Sequence, residues 1–273
     1  MDEQLDIIEQ QASIKDYEKS ILIKLSVLFG VSTILLILSV VFMAIGGGKF
    51  SSKNITGLLI GFQIIAMLLS LGLLSYHLLS DVKLSYYEKY YKVYDIVQFV
   101  LVALIVFFFL QTFIFKNARV TGSSMEPTLH NGDMVFVMQI HDKYKINDVI
   151  VMNAVPDLDV TTFNPKPTIS SEGYYVKRIK AAPGQKIAYV ETESGLAFYV
   201  DEQLIQTITN LNHQLIIKHI VDVNDGVVPK DQFLVLGDNV DNSKDSRVFG
   251  LVHRRDILGI VKIRFLKKPG LVK

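Results

Sequence analysis

The chain has 273 residues, 50% of them hydrophobic and 20% charged, with a formal net charge of +1. That is enough for one large or two small domains, but too apolar for an ordinary soluble protein. The near-zero charge, with no run of Lys or Arg, excludes an electrostatic footprint for nucleic acid; the absence of cysteine excludes disulfides, thiol catalysis and Cys-based zinc sites.

Residues 1–20 are acidic (Asp2, Glu3, Asp6, Glu9, Asp16, Glu18), which does not fit the basic start of a cleavable leader. Three apolar stretches follow, at 21–45, 55–79 and 96–115. Lys24 and His77 are the only interruptions, each near an end where a side chain can reach the headgroups. At the helical rise the shortest of them spans roughly 30 Å, the thickness of a bilayer core. The pattern predicts three transmembrane helices, a Gly-rich turn at 46–48 and a Tyr- and Lys-containing loop at 80–95. Lys15, Lys19, Lys83, Lys89 and Lys92 on one side outnumber Lys49, Lys53, Lys116 and Arg119 on the other. The positive-inside rule then places the N-terminus in the cytoplasm and the remainder outside.

From 117 to 273 the texture changes. Short runs at 134–138, 149–152, 174–179, 187–190, 233–236 and 257–265, rich in Val, Ile, Tyr and Phe, are separated by Gly, Pro, Asn and Asp. They predict an extracytoplasmic, mainly antiparallel β domain, with 155–173 as a long irregular loop. The fold class is therefore membrane-anchored and mainly β: three N-terminal helices, then a β-rich domain.

The six histidines do not fall at zincin spacing, no phosphate-cradling loop occurs, and the calcium-like run from Asp241 has Ser246 where glycine is required. Neither metal nor cofactor is expected. A hydroxyl-based site remains. Ser124, after glycine and serine and shortly before Pro127, sits on a predicted tight turn; alone, a turn or cap serine is the plainer reading. In Tyr174-Tyr-Val-Lys-Arg-Ile179, strand alternation puts Tyr175, Lys177 and Ile179 on one face, so apolar bulk flanks the lysine. Desolvation of that kind can lower a lysine enough to make it a base, although an exposed strand lysine is the plainer reading. A third segment, 236–250, holds more hydrogen-bonding side chains than a turn requires.

In order, Ser-Met-x-Pro-Thr-Leu after a transmembrane stretch, Gly-Asp-x-Val at 132–135, Tyr-x-Lys-Arg followed by Pro183-Gly184, and Gly-Asp-Asn-x-x-Asn-Ser-x-Asp-Ser-Arg resemble the motifs of bacterial type I signal peptidases over roughly 117–262. The resemblance implies a membrane-bound serine endopeptidase that removes signal peptides from exported preproteins, cutting after small residues. It implies Ser124 as nucleophile, Lys177 as general base and Ser243 as the hydroxyl orienting that amine. Met125 and Tyr175 would wall the substrate pocket, Asp245 and Arg247 would form a structural ion pair, and Gly237, Asp238 and Asn239 a turn. Gly122 stands where some members carry an oxyanion-hole serine and Ser123 is displaced by one, so both are candidates and the second donor stays open. Val240 replaces an arginine common at that position. The implied partners are preproteins, the lipid bilayer and, functionally, the secretion translocon, at the bacterial cell membrane.

Overall fold

A computed structural model describes residues 2–44, 53–79, 84–139, 143–166, 173–265 and 269–272. It divides into two compact units, Met1–Ile114 and Phe115–Lys273.

The first unit is helical: α1 (Asp2–Ala44), α2 (Lys53–Leu79) and α3 (Leu84–Phe109), the last ending in a π-helical turn at Leu110–Ile114. Helix α1 packs on both others. Small and polar residues point inward, with Ser32, Ser39, Gln63 and Ser70 buried, while Ile34, Ile37, Leu58, Ile65, Phe99 and Phe107 are exposed. Leu25, Ile105 and Phe113 are buried with them, so the interior is mixed while the outside is apolar, unlike a soluble bundle, whose exposed face is polar. The Ser39 hydroxyl donates to Leu35 O and the Ser70 hydroxyl to Met67 O, within their own helix turns, whereas Ser32 Oγ and the Gln63 amide are buried with no hydrogen-bond partner among the described residues. Among the described residues one apolar stretch, Lys15–Val41, is long enough to cross a membrane; Gly57–Leu73 and Gln98–Ile114 are shorter.

Two boundaries differ from the sequence expectation. The 80–95 segment is helical from Leu84 onward, because Tyr, Glu and Lys extend an apolar helix without a breaker. The third apolar stretch stops at Ile114; Phe115 already belongs to β1 and pairs with Met138. The glycine turn at 46–48 lies outside the described residues.

In the second unit, β1 (Phe115–Arg119), β2 (Met134–Met138), β3 (Val149–Asn153), β4 (Tyr174–Ala181), β8 (Gln232–Leu236), β9 (Val252–His253) and β10 (Ile257–Phe265) form one antiparallel sheet. Its order is β1-β2-β10-β3-β4-β8-β9, and β11 (Gly270–Leu271) adds to β10. Strands β5 (Ile187–Thr192), β6 (Gly195–Val200) and β7 (Gln203–Ile208) form a second antiparallel sheet. The β6–β7 turn has Asp201 and Glu202 both at positive φ, the left-handed pair a two-residue hairpin demands.

Helix α4 (Leu211–Val223), capped by the Asn210 side chain accepting from His213 N–H, buries Ile216, Ile217, Ile220 and Val221. That stripe packs with Leu196, Phe198 and Val200 of β6 in one core. A second core joins Ile150, Met152, Ile179, Val235, Ile257 and Ile260 across the large sheet, and Phe249 of the short helix α5 (Ser246–Phe249) closes it. Of the loop expected at 155–173, residues 155–166 are irregular and pinned by Leu158 N–H donating to Val248 O, while 167–172 lie outside the described residues.

Candidate active site

Ser124 lies in the 120–133 loop between β1 and β2. The neck is closed by Val120 N–H donating to Asp133 O and Gly132 N–H donating to Val120 O, both at 2.8 Å. Inside it, Leu129 N–H donates to Met125 O at 2.8 Å, and both side chains are buried anchors. Buried Asp133 accepts from His130 N–H, and Arg264 of β10 donates to Thr128 O at 2.7 Å. The loop is therefore tied at each turn, and the Ser124 hydroxyl inherits a fixed position. Gly122 has φ +90, a conformation that favours glycine, and its N–H donates to Asn131 Oδ1. Among the described residues the Ser124 N–H has no hydrogen-bond partner.

Lys177 comes from the middle of β4, paired with Ile150 of β3, and is only 3% exposed. Its amine hydrogen-bonds Ser124, with Nζ 2.9 Å from Oγ, and lies 5.7 Å from the centroid of the Tyr175 ring. Burial pushes this amine down to about 8 from an ordinary value of 10.5; the Asp245 and Asp238 carboxylates oppose the shift and the Arg247 guanidinium adds to it. Tyr175 itself stacks on Phe249 at 6.0 Å between centroids.

The loop after β8 roofs both groups. Asn239 N–H donates to Ser124 O at 3.0 Å, its side-chain amide to Ser123 O at 3.1 Å, and the Asn242 amide to Ser123 Oγ at 2.8 Å. Gly237 is required by closeness: a Cβ there would meet Ser243 Oγ and lie 2.5 Å from Ser124 O. Beneath the loop, Asp245 accepts from Arg247 Nε at 2.8 Å and Nη2 at 2.7 Å and from Gly237 N–H at 3.0 Å, while Arg247 Nη1 donates to Val240 O. Both members of this pair are buried.

A second ion pair lies on the other face of β4. Arg178 donates to Asp238 through Nε at 2.7 Å and Nη2 at 2.6 Å, and to Asn147 O at 2.8 Å. Thr128 Oγ1 donates to Asp238 Oδ2 at 2.6 Å. Burial alone would raise the Asp238 carboxyl, but the hydrogen bonds from Arg178 and Thr128, and the Arg178 charge, hold it below the usual carboxylate range.

The residues singled out from sequence, Ser124, Lys177, Met125, Tyr175, Gly122, Ser123, Gly237, Asp238, Asn239, Asp245 and Arg247, all come from these converging segments. Two assignments change. Ser243 Oγ is buried with no hydrogen-bond partner among the described residues, so the hydroxyl expected to hold the lysine amine does not bond it. Its hydroxyl lies against Gly237, close enough that a Cβ at that position would collide with it. Asp238 is an ion-pair partner of Arg178 rather than only a turn residue. Thr128, Arg178 and Asn242 were within the quoted motifs but had no role; nothing local in the sequence marks Arg178 as buried. Among the described residues no cluster of metal-ligating side chains occurs.

Residues 93–266 match the profile of the family described as signal peptidase, peptidase S26. The chain is 27% identical over 168 residues to the inactive signal peptidase IA of Staphylococcus aureus, covering 60% of this chain and 87% of that protein. It is 31% identical over 185 residues to signal peptidase I P of Bacillus subtilis subsp. natto, covering 65% and 91%. Signal peptidase IB of Staphylococcus aureus is 32% identical over 182 residues, covering 60% and 84%. The chain belongs to the signal peptidase family, peptidase S26, and within it to type I. The activity of that family is removal of signal peptides, and its substrates are the preproteins that carry them.

Proposed function

We propose that this chain is a membrane-bound serine endopeptidase that cuts signal peptides from exported preproteins after small residues, with Ser124 as nucleophile and Lys177 as general base. The observation that carries the reading is the 2.9 Å separation of Lys177 Nζ and Ser124 Oγ, with the amine buried beside aromatic and apolar side chains. A lysine near 8 is partly neutral at physiological pH and can take the Ser124 proton as Oγ adds to the scissile carbonyl. The unengaged Ser124 N–H is the oxyanion donor in this scheme. The Lys177 ammonium then returns its proton to the leaving amine as the C–N bond breaks. In the second half, neutral Lys177 takes a proton from a water whose oxygen adds to the acyl carbon, and the resulting ammonium returns that proton to Ser124 Oγ as the acyl carbon–Oγ bond breaks.

The outward apolar side chains of the helical unit support three membrane spans, with residues 117–273 as the catalytic domain outside the cytoplasm. A bilayer shared with the substrate, and proximity to the translocon that delivers it, would raise its effective concentration. A non-catalytic role is the second reading, because one relative is named inactive. A protein of that kind has no need of a nucleophile and base in hydrogen-bond contact, and this chain has both.

Preprotein cleavage by the full chain in detergent tests the base. With Lys177 titrating at about 8, kcat/KM climbs roughly tenfold from pH 7 to a plateau above pH 9. A profile flat over that range sinks the lysine-base mechanism. Topology has its own test, helped by the absence of cysteine. In intact cells an impermeant maleimide should label Glu193→Cys and should reach Ser13→Cys only after lysis; the opposite pattern reverses the orientation.

A further inference from the structure

We propose that Thr128 is a positioning residue whose hydroxyl, bridging Asp238 and Arg178, sets the register between the nucleophile turn and the strand that carries the base. The proposal rests on the dyad reading of Ser124 and Lys177 and adds a residue that touches neither the substrate nor the reacting atoms.

Thr128 sits where three segments meet. Its hydroxyl donates to Asp238 Oδ2 at 2.6 Å and accepts from Arg178 Nη2 at 3.2 Å. One O–H donor and one lone pair are thereby used, each against a charged group, and charge-assisted bonds are the stronger and more directional kind. The main-chain carbonyl of the same residue accepts from Arg264 Nη1 at 2.7 Å, so Thr128 is held from both ends.

Each partner leads to a component of the site. Thr128 is in the loop that bears Ser124, and the adjoining Leu129 N–H donates to Met125 O, so movement at Thr128 is passed to the nucleophile's neighbour. Arg178 follows Lys177 directly on β4; strand alternation sends the two side chains to opposite faces, so fixing Arg178 fixes the backbone from which Lys177 projects. Asp238 precedes Asn239, whose N–H holds Ser124 O.

A small, β-branched alcohol suits this position. It has few rotamers, and its methyl occupies volume without a polar demand. Serine keeps the bridge but with a freer rotor, whereas valine keeps the shape and leaves two charged partners without their shared hydroxyl.

The test compares Thr128→Val and Thr128→Ser in the full-length chain in detergent, alongside Ser124→Ala. In Thr128→Val, kcat should fall about 10- to 100-fold with KM within about twofold, as expected for a nucleophile and base displaced by a fraction of an ångström. Thr128→Ser should recover most of it. Independently of turnover, NMR titration of selectively labelled lysine, with the Lys177 resonance assigned by Lys177→Met, should show that amine moving up by about half a pH unit or more in Thr128→Val as water gains access. Wild-type kcat and an unmoved Lys177 titration in Thr128→Val would overturn the proposal. So would equal losses in Thr128→Val and Thr128→Ser that track only a lowered melting temperature. If Thr128→Val does not fold, Thr128→Ala at low temperature is read by the same criteria. Activity retained in Ser124→Ala would instead overturn the dyad reading, and the lysine titration still decides the role of Thr128.

Discussion

On the proposed mechanism, replacing Ser124 with alanine or Lys177 with methionine should lower kcat/KM for preprotein cleavage by on the order of 10⁴-fold or more, and combining them should cost little beyond either alone. Residues that act as one unit behave this way, since neither a nucleophile without its base nor a base without its nucleophile completes the proton transfer. The two variants differ in stability. Lys177 titrates at about 8 in the folded chain against 10.5 for the free side chain. The folded state therefore binds that proton less tightly than the unfolded one. The destabilisation is full below pH 8 and fades as pH rises to 10.5. A depression of that size corresponds to on the order of 3 kcal/mol, since the amine is nearly inaccessible. Lys177→Met should abolish cleavage and stabilise the peptidase unit at pH 7, with an advantage that disappears by about pH 10.5. Chemical denaturation across pH measures it. A variant that loses activity and stability together at pH 7 would contradict the assignment of a desolvated, strained amine.

The second large effect is at Asp245. Its carboxylate is fully buried and accepts from both Arg247 side-chain nitrogens facing it, from Arg247 N–H and from Gly237 N–H. Asp245→Ala leaves a guanidinium that is 2% exposed without its counter-charge, a defect worth about 3–5 kcal/mol. It also frees the Gly237 backbone that lies against Ser124 O. Removing both charges, as in Asp245→Leu with Arg247→Met, should recover much of the stability, because the uncompensated charge rather than the lost attraction dominates. Urea midpoints of the wild type, Asp245→Ala and the double variant decide this. A loss below about 1 kcal/mol in Asp245→Ala would show that the pair is not the brace its geometry describes.

The strands were legible because alternation and β-branched runs survive in the local sequence: 134–138, 174–179 and 257–265 all fall within observed strands. Helix α4 escaped notice for the same reason. Its Ile216, Ile217, Ile220 and Val221 are β-branched residues that resemble a strand run, and only their spacing of one and four betrays a helical face. The end of the third apolar stretch misled because Phe115 is as apolar as the helix before it, although pairing with β2 decides its state. In the site, Ser124 and Lys177 became visible through the order of several motifs, neither residue being distinctive alone. Arg178 shows the limit. A basic residue on a strand gives no local hint that a carboxylate 60 positions away will bury it. Ser243 shows another: motif position gave it a role, but its hydroxyl is buried with no hydrogen-bond partner among the described residues, which only the packing of the loop decides.

The roof over Ser124 has a temporal consequence. The groups that hold the nucleophile turn, Asp238, Asn239, Asn242 and Arg264, lie more than 100 positions downstream, as the separations of 110 for Thr128 with Asp238, 119 for Ser123 with Asn242 and 136 for Thr128 with Arg264 show. Such contacts close late, after long stretches of chain have lost their freedom. During synthesis, a nascent chain that stops short of residue 238 contains Ser124, Lys177 and the bonds within the 120–133 loop, but lacks those from Asp238, Asn239, Asn242 and Arg264 that complete the site. On the proposed function, cleavage activity would thus be deferred to the last strands, and an unfinished chain would have no assembled site to turn on itself or on its neighbours.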